Sequence, residues 1–242
     1  MLRSTLPLIV LAFAAAPSFA QWKLDDAFKA AKPEDLKDVE STPPPKDAIV
    51  LFDGKSADAW TKKDGKSEVK WKIADGTWEG VKGHGDIVTK EKFGGKFKLH
   101  VEFRVPYEPT NKGQGRGNSG VYPQGRYEVQ ILDSYGLKSG KNDCAAIYDI
   151  YPPKTNECKA PTIWQSYDIE FTAPTFGTDG KKTEPTHMTV HHNGVKVHDD
   201  VKVEKDNTTA GMGGDPSKPG PILLQDHGHP VQYRNIWILQ IK

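Results

Sequence analysis

The fold is decided by the stretch Phe97-Lys98-Leu99-His100-Val101-Glu102-Phe103-Arg104-Val105. Apolar residues occupy every second position, and charged residues or histidine fill the positions between them. Because successive side chains of a β-strand point to opposite faces, this alternation predicts a strand that packs one face on the core. The default expectation for the other face is solvent, as in most alternating strands of antiparallel sheets.

Other segments repeat this pattern around turn signals. Residues 127–131 alternate in the same way, and Asp75-Gly76 and Asn193-Gly194 are typical of β-hairpin turns. The remaining predicted strands are residues 71–73, 77–81, 86–89, 163–171, 187–192, 195–203, 222–225 and 233–241. About a dozen antiparallel strands without helical runs predict an all-β sandwich or barrel.

The composition agrees with a folded, turn-rich domain. The chain has 242 residues, with 33 Lys+Arg against 32 Asp+Glu, and its 23 Gly and 18 Pro are a high load of turn formers. A formal net charge of +1 argues against a nucleic-acid partner, because such proteins are usually strongly basic. Aromatic residues make up 10% of the chain, which argues against disorder.

The first twenty residues are typical of a secretory signal peptide. Arg3 precedes an apolar run at residues 6–16, and Ser18-Phe19-Ala20 offers small residues for cleavage. We therefore predict an exported protein, in a bacterial periplasm or outside the cell, without a transmembrane segment. Residues 21–46 are expected to form a short helix, starting near Pro33, and a Pro-rich tether. Residues 47–242 are expected to be one domain.

Export affects how the two cysteines are interpreted. Cys144 and Cys158 are the only cysteines, and an even pair in an oxidising compartment is most simply a disulfide. Closing a loop of this size would contribute about 3 kcal/mol in the chain-entropy model. A reactive thiol is the alternative, and two cysteines alone cannot make a zinc site.

Three segments place polar groups beside residues typical of a core. They are Glu102-Phe103-Arg104, then Asn118 to Asp133, then Leu224-Gln225-Asp226-His227-Gly228 with Arg234-Asn235-Ile236. Solvated faces of a sheet explain such residues in general. However, Glu, Arg, Gln, Asn, Asp, Tyr and His are the side chains that bind sugar hydroxyls and move protons.

Seven motifs in this order closely resemble the secreted 3-keto-disaccharide hydrolase domain family, also described as 3-keto-glucoside 1,2-lyase/2-hydroxy-3-keto-glucal hydratase. They are Leu51-Phe52-Asp53-Gly54-Lys55 with Trp60, Glu102-Phe103-Arg104, Asn118-Ser119-Gly120-Val121-Tyr122, Tyr127-Glu128-Val129-Gln130-Ile131-Leu132-Asp133, Ala146-Ile147-Tyr148, Leu224-Gln225-Asp226-His227-Gly228, and Arg234-Asn235-Ile236. The resemblance covers residues 47–242 and implies a concanavalin A-like jelly-roll β-sandwich. Two departures are Gln165 after Trp164, where the family pattern has Asn, and a long insert at residues 172–185.

The resemblance implies cleavage of an oxidised, 3-keto glycoside or disaccharide, and a sugar 3-dehydrogenase that supplies it. A ketone at C3 acidifies the C2 proton, so the site needs a base, an enolate partner and an acid for the leaving group. The expected base is Glu128 or Glu102, and the expected acid is Asp226 or His227. Arg104 is either the oxyanion partner or a salt-bridge partner of one of the glutamates. The residues expected to bind substrate hydroxyls are Asn118, Tyr122, Gln130, Asp133, Tyr148 and Gln225.

Strand parity complicates one of these assignments. Gln225 and His227 share one face, so Asp226 reaches the same pocket only if the strand ends or bulges there. Clustering of Glu102, Glu128 and Arg104 in one pocket would favour an enzyme. A shallow aromatic groove without paired acids would favour the alternative, a non-catalytic lectin-like carbohydrate-binding module; an adhesion or scaffold domain is a third reading.

The histidines give no familiar metal-binding spacing. Neighbouring residues such as His191 and His192 face opposite sides of a strand, so surface histidines are the expectation and no metal ligand is assigned. No cofactor is predicted, although loop aspartates and carbonyls leave a structural Ca²⁺ open. The tryptophans are expected mainly in the core, with one or two available to stack on a sugar ring.

Overall fold

The computed structural model describes Leu24 and residues 28–241. The predicted signal peptide lies outside the described residues, as do residues 21–23 and 25–27 of the segment that follows it. Between residues 28 and 46 the structure has a single 3-10 turn, Pro33–Leu36, with its proline at the first position. No helix within the described residues is long and apolar enough to cross a membrane.

The described residues contain fifteen strands and no α-helix, which confirms the all-β prediction. The strands are β1 (Ile49–Phe52), β2 (Trp60–Lys62), β3 (Lys72–Ala74), β4 (Thr77–Glu79), β5 (Ile87–Thr89), β6 (Lys96–Arg104), β7 (Ser119–Tyr122), β8 (Val129–Ile131), β9 (Gln165–Thr172), β10 (Thr175–Phe176), β11 (Lys182–Glu184), β12 (Thr186–His192), β13 (Val195–Val203), β14 (Leu223–Leu224) and β15 (Gln232–Ile241). Both expected hairpins form, since β3 pairs with β4 and β12 pairs with β13.

Two antiparallel sheets make the sandwich. The large sheet has the order β13-β12-β9-β6-β15-β4-β3, with β1 also paired to β15, and the small sheet has the order β2-β5-β14-β7-β8. Inward-facing side chains of both sheets form one core, for example Leu99 and Val101 from the large sheet and Val121 and Val129 from the small sheet. The arrangement is the jelly-roll sandwich that the family resemblance implied.

Strand β6 lies in the middle of the large sheet, between β9 and β15. Its apolar residues Phe97, Leu99, Val101 and Phe103 are fully buried in the core, as the alternation predicted. Burial of each such side chain contributes about 1.5–3 kcal/mol. The opposite face of β6 differs from the expectation, because His100 and Glu102 are also buried there.

Residues 38–42, which we call the N-terminal strap, explain that burial. The strap lies on the outer face of the large sheet: Val39 N–H donates to the Trp164 carbonyl, and Trp237 Nε1 donates to the Thr42 carbonyl. The sequence suggested a Pro-rich tether here, but local composition does not reveal contacts made with strands more than sixty residues away.

Four further strands were absent from the sequence prediction because each is very short or flanked by polar residues. They are β1, β2, β10 and β11. The last two pair with each other within the long insert that begins near Thr172. The segment at Asn118 to Tyr122 also becomes β7, which places it beside β8 in the small sheet.

The cysteine prediction is not supported. Both Cys144 and Cys158 are buried free thiols in the structure, so no disulfide is seen between them. The expectation of surface histidines is wrong for His192, which is fully buried, whereas its neighbour His191 is half-buried. Sequence alternation placed the two on opposite faces but could not show that both faces of β12 are covered at this end.

Candidate active site

A polar pocket lies on the outer face of the small sheet, where three strands present a continuous row of side chains. Val88, Leu223 and Tyr122 are paired across β5, β14 and β7 and pack against one another. The register of β7 and β8 pairs Val121 with Val129, so one further step places Tyr122 opposite Glu128. The row therefore ends in a carboxylate at the edge of the sheet.

The pocket beside this carboxylate has a volume of about 120 Å³. It is lined by Gln114, Asn118, Glu128, Gln130, Tyr148, Thr209, Ala210, Gln225 and His227. Six of these were candidate site residues from the sequence: Asn118, Glu128, Gln130, Tyr148, Gln225 and His227. The structure thus brings together residues that are up to 109 positions apart in the chain.

Glu128 is the most unusual group in this pocket. Its side chain is almost fully buried, with a residue exposure of 2%, and its Oε2 has no hydrogen-bond partner. Burial raises the pKa of Glu128 to about 7; the nearby Asp86 carboxylate adds to this increase, and a hydrogen bond from Tyr122 opposes it. A carboxyl group with a pKa near neutrality is suited to exchange protons in either direction.

Tyr122 and Gln225 position the Glu128 carboxylate through two consecutive hydrogen bonds. The Tyr122 hydroxyl donates to the Glu128 carboxylate and accepts a hydrogen bond from Gln225 Nε2 at 2.9 Å. Burial, with the negative charge of Glu128, raises the pKa of Tyr122, so its hydroxyl keeps the proton that it donates. Tyr122 is therefore an orienting residue under the carboxylate.

Gly120 provides the space that this carboxylate occupies. A Cβ at position 120 would lie 2.9 Å from Glu128 Oε1 and 2.7 Å from Tyr122 Cε2. Real Cβ atoms do not approach other atoms so closely, so any side chain here would displace the glutamate or the tyrosine. The glycine is required by close approach, since its backbone φ is not positive.

Amide groups supply the rest of the polar lining. Asn118 Nδ2 donates to the Gln114 carbonyl at 2.8 Å, and Gln130 Nε2 donates to Gln114 Oε1 at 3.1 Å. The opposite ends of these amides are unsatisfied: Asn118 Oδ1, Gln130 Oε1 and Gln225 Oε1 are buried without a partner. Together with Glu128 Oε2, four acceptor oxygens at this pocket lack donors. Such a set matches a ligand with several hydroxyl groups.

Glu102 and Arg104 are not part of this pocket. They lie on the outer face of the large sheet, and the whole core separates them from Glu128, whose neighbour Val129 packs into that core from the other side. Glu102, Arg104 and Glu128 therefore do not cluster in one pocket, which was the arrangement that would have favoured an enzyme. Arg104 Nε donates to Gln232 Oε1 at 2.8 Å, and its guanidinium lies 4.7 Å from the centre of the Trp164 ring.

Asp226 and Asp133 are also placed outside the pocket lining. The Asp226 carboxylate accepts from the backbone N–H groups of Gly85 at 2.7 Å and Gly228 at 2.9 Å, which fixes a turn. Strand β14 ends at Leu224, so these backbone contacts, and not strand parity, fix the position of Asp226. Asp133 is buried against Arg116, with 2.8 Å between Oδ2 and Nη2.

Comparison with known proteins agrees with the sequence motifs. Residues 47–239 match the model of the 3-keto-alpha-glucoside-1,2-lyase-like domain. The chain belongs to this family. No curated protein matches the sequence.

Solved structures related to this lyase-like domain share its fold. One from Parabacteroides distasonis, described as a candidate glycosyl hydrolase, is 36% identical, with a TM-score of 0.74 over 87% of this chain and 97% of that one. A second candidate glycosyl hydrolase from the same organism is 20% identical, with a TM-score of 0.57 over 81% of this chain and 94% of that one. The family and the 36% identical neighbour place the chain among carbohydrate-active enzymes.

Three lining residues of the lyase-like domain were missed from the sequence: Gln114, Thr209 and Ala210. Gln114 lies in a polar, Gly-rich loop that carries no strand pattern, and its role depends on a hydrogen bond to the Asn142 carbonyl at 2.8 Å. The feature of the sequence that could have indicated Gln114 is an amide side chain within a Gly-rich loop. The tryptophans expected to be mainly core, Trp60, Trp71, Trp78, Trp164 and Trp237, are all buried, and none lines the pocket.

Proposed function

We propose that this chain is an exported enzyme that cleaves 3-keto-glycosides by elimination across C1 and C2, followed by hydration. The observation that carries the proposal is Glu128, a buried carboxylate with a pKa of about 7 and one unpartnered oxygen, in a pocket of hydroxyl-binding amides. The family description, a 3-keto-alpha-glucoside-1,2-lyase-like domain, supports this substrate class.

The reaction begins with proton transfer from carbon. Glu128 Oε2 removes the proton at C2, which the C3 ketone has acidified, and the electron pair moves into an enolate. The enolate then re-forms the C3 carbonyl while a C1–C2 double bond forms and the C1–oxygen bond breaks. The aglycone leaves with a proton from His227, which lies exposed at the rim of the pocket. The product is a 2-hydroxy-3-keto-glucal.

Hydration reverses the sense of proton transfer at the same residue. Glu128 is protonated after the first step and returns its proton to C2 as water adds to C1. The attacking water gives its own proton to His227, which lost one to the aglycone, so that protons balance over the cycle. A pKa near neutrality serves both steps, because the group is neither a weak base nor a reluctant acid at pH 7. Tyr122 orients the carboxylate in both steps.

The remaining lining residues bind the sugar. The unpartnered oxygens of Asn118, Gln130 and Gln225 accept hydrogen bonds from ring hydroxyls. Tyr148 is half-buried in the lining, and its hydroxyl donates to the C3 oxygen and so stabilises the enolate. This role replaces the one expected of Arg104, which lies on the opposite face of the sandwich.

The substrate chemistry requires a preceding oxidation. A glycoside acquires its C3 ketone only if a sugar 3-dehydrogenase removes two electrons and two protons from the C3 alcohol. We therefore propose that such an enzyme acts before this one in the same compartment. The signal-like residues 1–20 support the bacterial periplasm or the extracellular space as that compartment.

Incubation with a panel of 3-keto-glucosides of both anomers, including 3-keto-trehalose, tests the proposal. Aglycone release and the glycal intermediate would be followed by NMR and mass spectrometry. We expect release from at least one anomer, and no release from the same glycosides before oxidation at C3. Absence of release across the whole panel would contradict the proposal.

A non-catalytic sugar-binding module is the second candidate. The observation in its favour is that Glu128 is the one carboxylate among the described residues that line the pocket. Such a module would bind 3-keto-glucosides or their parent sugars without releasing the aglycone. Calorimetric binding without turnover, unchanged in a Glu128→Gln variant, would support the binding module over the enzyme.

A further inference from the structure

Two thiols and an imidazole form a buried cluster outside the sugar pocket. Cys144 Sγ, Cys158 Sγ and one ring nitrogen of His192 all lie within 4.8 Å of one another. All three residues are buried. Among the described residues, this is the group of His, Cys, Asp or Glu side chains that meets the geometry for holding a metal ion. None of the three lines the pocket around Glu128.

The hydrogen bonds around Gln165 fix the tautomer of His192. The backbone N–H of Lys159 donates to Gln165 Oε1 at 2.9 Å, which identifies that atom as the amide oxygen because a backbone N–H cannot accept. The same oxygen lies 3.0 Å from His192 Nε2. An amide oxygen can only accept, so Nε2 carries the proton and Nδ1 keeps a free lone pair.

The Nδ1 lone pair has no hydrogen-bond partner. His192 Nδ1 is among the buried side-chain atoms without one, and an unsatisfied buried acceptor destabilises a fold by about 1–3 kcal/mol. A histidine that donates one nitrogen to a carbonyl and leaves the other bare has the arrangement found at metal sites. The bare nitrogen is the one available to complete the cluster with the two sulfurs.

We propose that Cys144 Sγ, Cys158 Sγ and His192 Nδ1 bind one thiophilic cation, Zn²⁺ or Cu⁺. Each thiol loses its proton to solvent as a metal–sulfur bond forms, and no electron transfer is involved. Tetrahedral Zn²⁺ with bonds of about 2.3 Å places two sulfurs about 3.8 Å apart, which the cluster accommodates. Zn²⁺ balances two thiolates but needs a fourth ligand, whereas Cu⁺ is satisfied by three.

The cation accounts for more of the cluster than a disulfide does. A Cys144–Cys158 disulfide uses the two sulfurs and leaves Nδ1 unsatisfied, whereas a cation uses all three atoms. The site would also fasten the loop that carries both cysteines to β12 of the large sheet. This loop supports the sugar pocket, because Tyr167, whose hydroxyl lies 3.1 Å from Cys144 Sγ, donates to the Gln130 carbonyl at 2.6 Å.

Metal titration of the full chain, reduced and stripped of metal under anaerobic conditions, tests the proposal. Zn²⁺ would be titrated against a chromophoric chelator, Cu⁺ against bicinchoninate, and Co²⁺ would serve as a spectroscopic probe. We expect one equivalent per chain, protection of both thiols from alkylation, and a sulfur-to-cobalt charge-transfer band. The two competition titrations distinguish Zn²⁺ from Cu⁺.

Three variants separate this site from adventitious binding. His192→Ala should lose the stoichiometric site, and Gln165→Ala should weaken affinity by about 10- to 100-fold because the imidazole is no longer oriented. His191→Ala is the matched control and should bind as the wild type does. Unchanged affinity in His192→Ala would overturn the proposal. If that variant does not fold, the absence of a charge-transfer band in the reduced wild-type protein would overturn it.

Discussion

Glu102 lies on β6 and Glu128 lies directly before β8; both are buried, one on the outer face of each sheet. Glu102 is fully satisfied: Oε1 accepts from Ser41 Oγ at 2.6 Å and Asn235 Nδ2 at 2.7 Å, and Oε2 accepts from Arg234 Nε at 2.6 Å. Glu128 keeps one oxygen without any partner. A structural glutamate is therefore distinguished from a candidate catalytic one by whether both carboxylate oxygens have hydrogen-bond donors, more than by burial.

The two carboxyl groups therefore titrate in opposite directions. Burial alone would raise the pKa of Glu102, but hydrogen bonds from His100, Ser41, Asn235 and Arg234 outweigh it and lower the pKa to about 2. At Glu128 only the hydrogen bond from Tyr122 opposes the effect of burial, so the pKa of Glu128 rises to about 7. The same chemical group thus fastens the strap in one place and is poised for proton transfer in the other.

The largest expected effect is on catalysis at Glu128. Glu128→Gln keeps the size of the side chain but removes the base, so kcat/KM toward a 3-keto-glucoside should fall by about 10²- to 10⁴-fold. Steady-state assays of aglycone release would measure this. Glu170→Gln, on strand β9 of the other sheet, is the control and should leave turnover unchanged. Wild-type turnover in Glu128→Gln would remove it from the catalytic role.

Next in size is the loss of stability at Glu102. Glu102→Gln removes the negative charge that accepts hydrogen bonds from several donors, including the cation Arg234. Because Arg234 then loses its charged partner, we expect a loss of about 3 kcal/mol in the free energy of unfolding. Urea denaturation at pH 7 measures this value. The wild-type contribution is present above pH about 4.5 and is lost as pH falls through about 2, so the variant should approach the wild type in acid. An unchanged urea midpoint at pH 7 would show that the strap does not depend on this charge.

Substitution of Glu128 by glutamine should change the free energy of unfolding in the opposite direction. Its pKa is raised in the folded state, so native stability falls as pH rises from about 4.5 to about 7, and the full penalty is present above that range. Glu128→Gln should therefore stabilise the protein, by on the order of 2 kcal/mol at pH 8 and little at pH 4. Urea denaturation at both pH values provides the measurement. Destabilisation at pH 8 would mean that the carboxylate has partners when ionised.

The smallest effect should come from one donor to Glu102. Ser41→Ala removes the strap hydroxyl that donates to Oε1, and we expect a loss of about 1.5 kcal/mol, since other donors remain. The control is Ser56→Ala, a surface loop residue remote from the strap, which should change stability less. A double mutant cycle with Glu102→Gln should show coupling between residues 41 and 102. If the two changes in the free energy of unfolding simply add in the double mutant, the contact between Ser41 and Glu102 would be contradicted.

Local sequence predicted the strands because their alternation is a property of neighbouring residues. It could not distinguish Glu102 from Glu128, since both follow the same pattern, and what differs is the segment that covers each one. The strap reaches Glu102 from about sixty residues away, and Gln114 reaches the pocket from a 3-10 turn at Gly113–Gly115. Parity did not decide the position of Asp226, because strand β14 ends at Leu224 and backbone N–H groups of Gly85 and Gly228 hold its carboxylate.

Removal of the C2 proton is the step on which the functional account depends. It can be measured by NMR as the exchange of that proton for deuterium when a 3-keto-glucoside is incubated with enzyme in D₂O, from pH 5 to pH 9. We expect exchange above the uncatalysed rate that rises through an apparent pKa near 7 and is lost in Glu128→Gln. Exchange at the wild-type rate in that variant, or a rate independent of pH across this range, would contradict the assignment of Glu128 as the base.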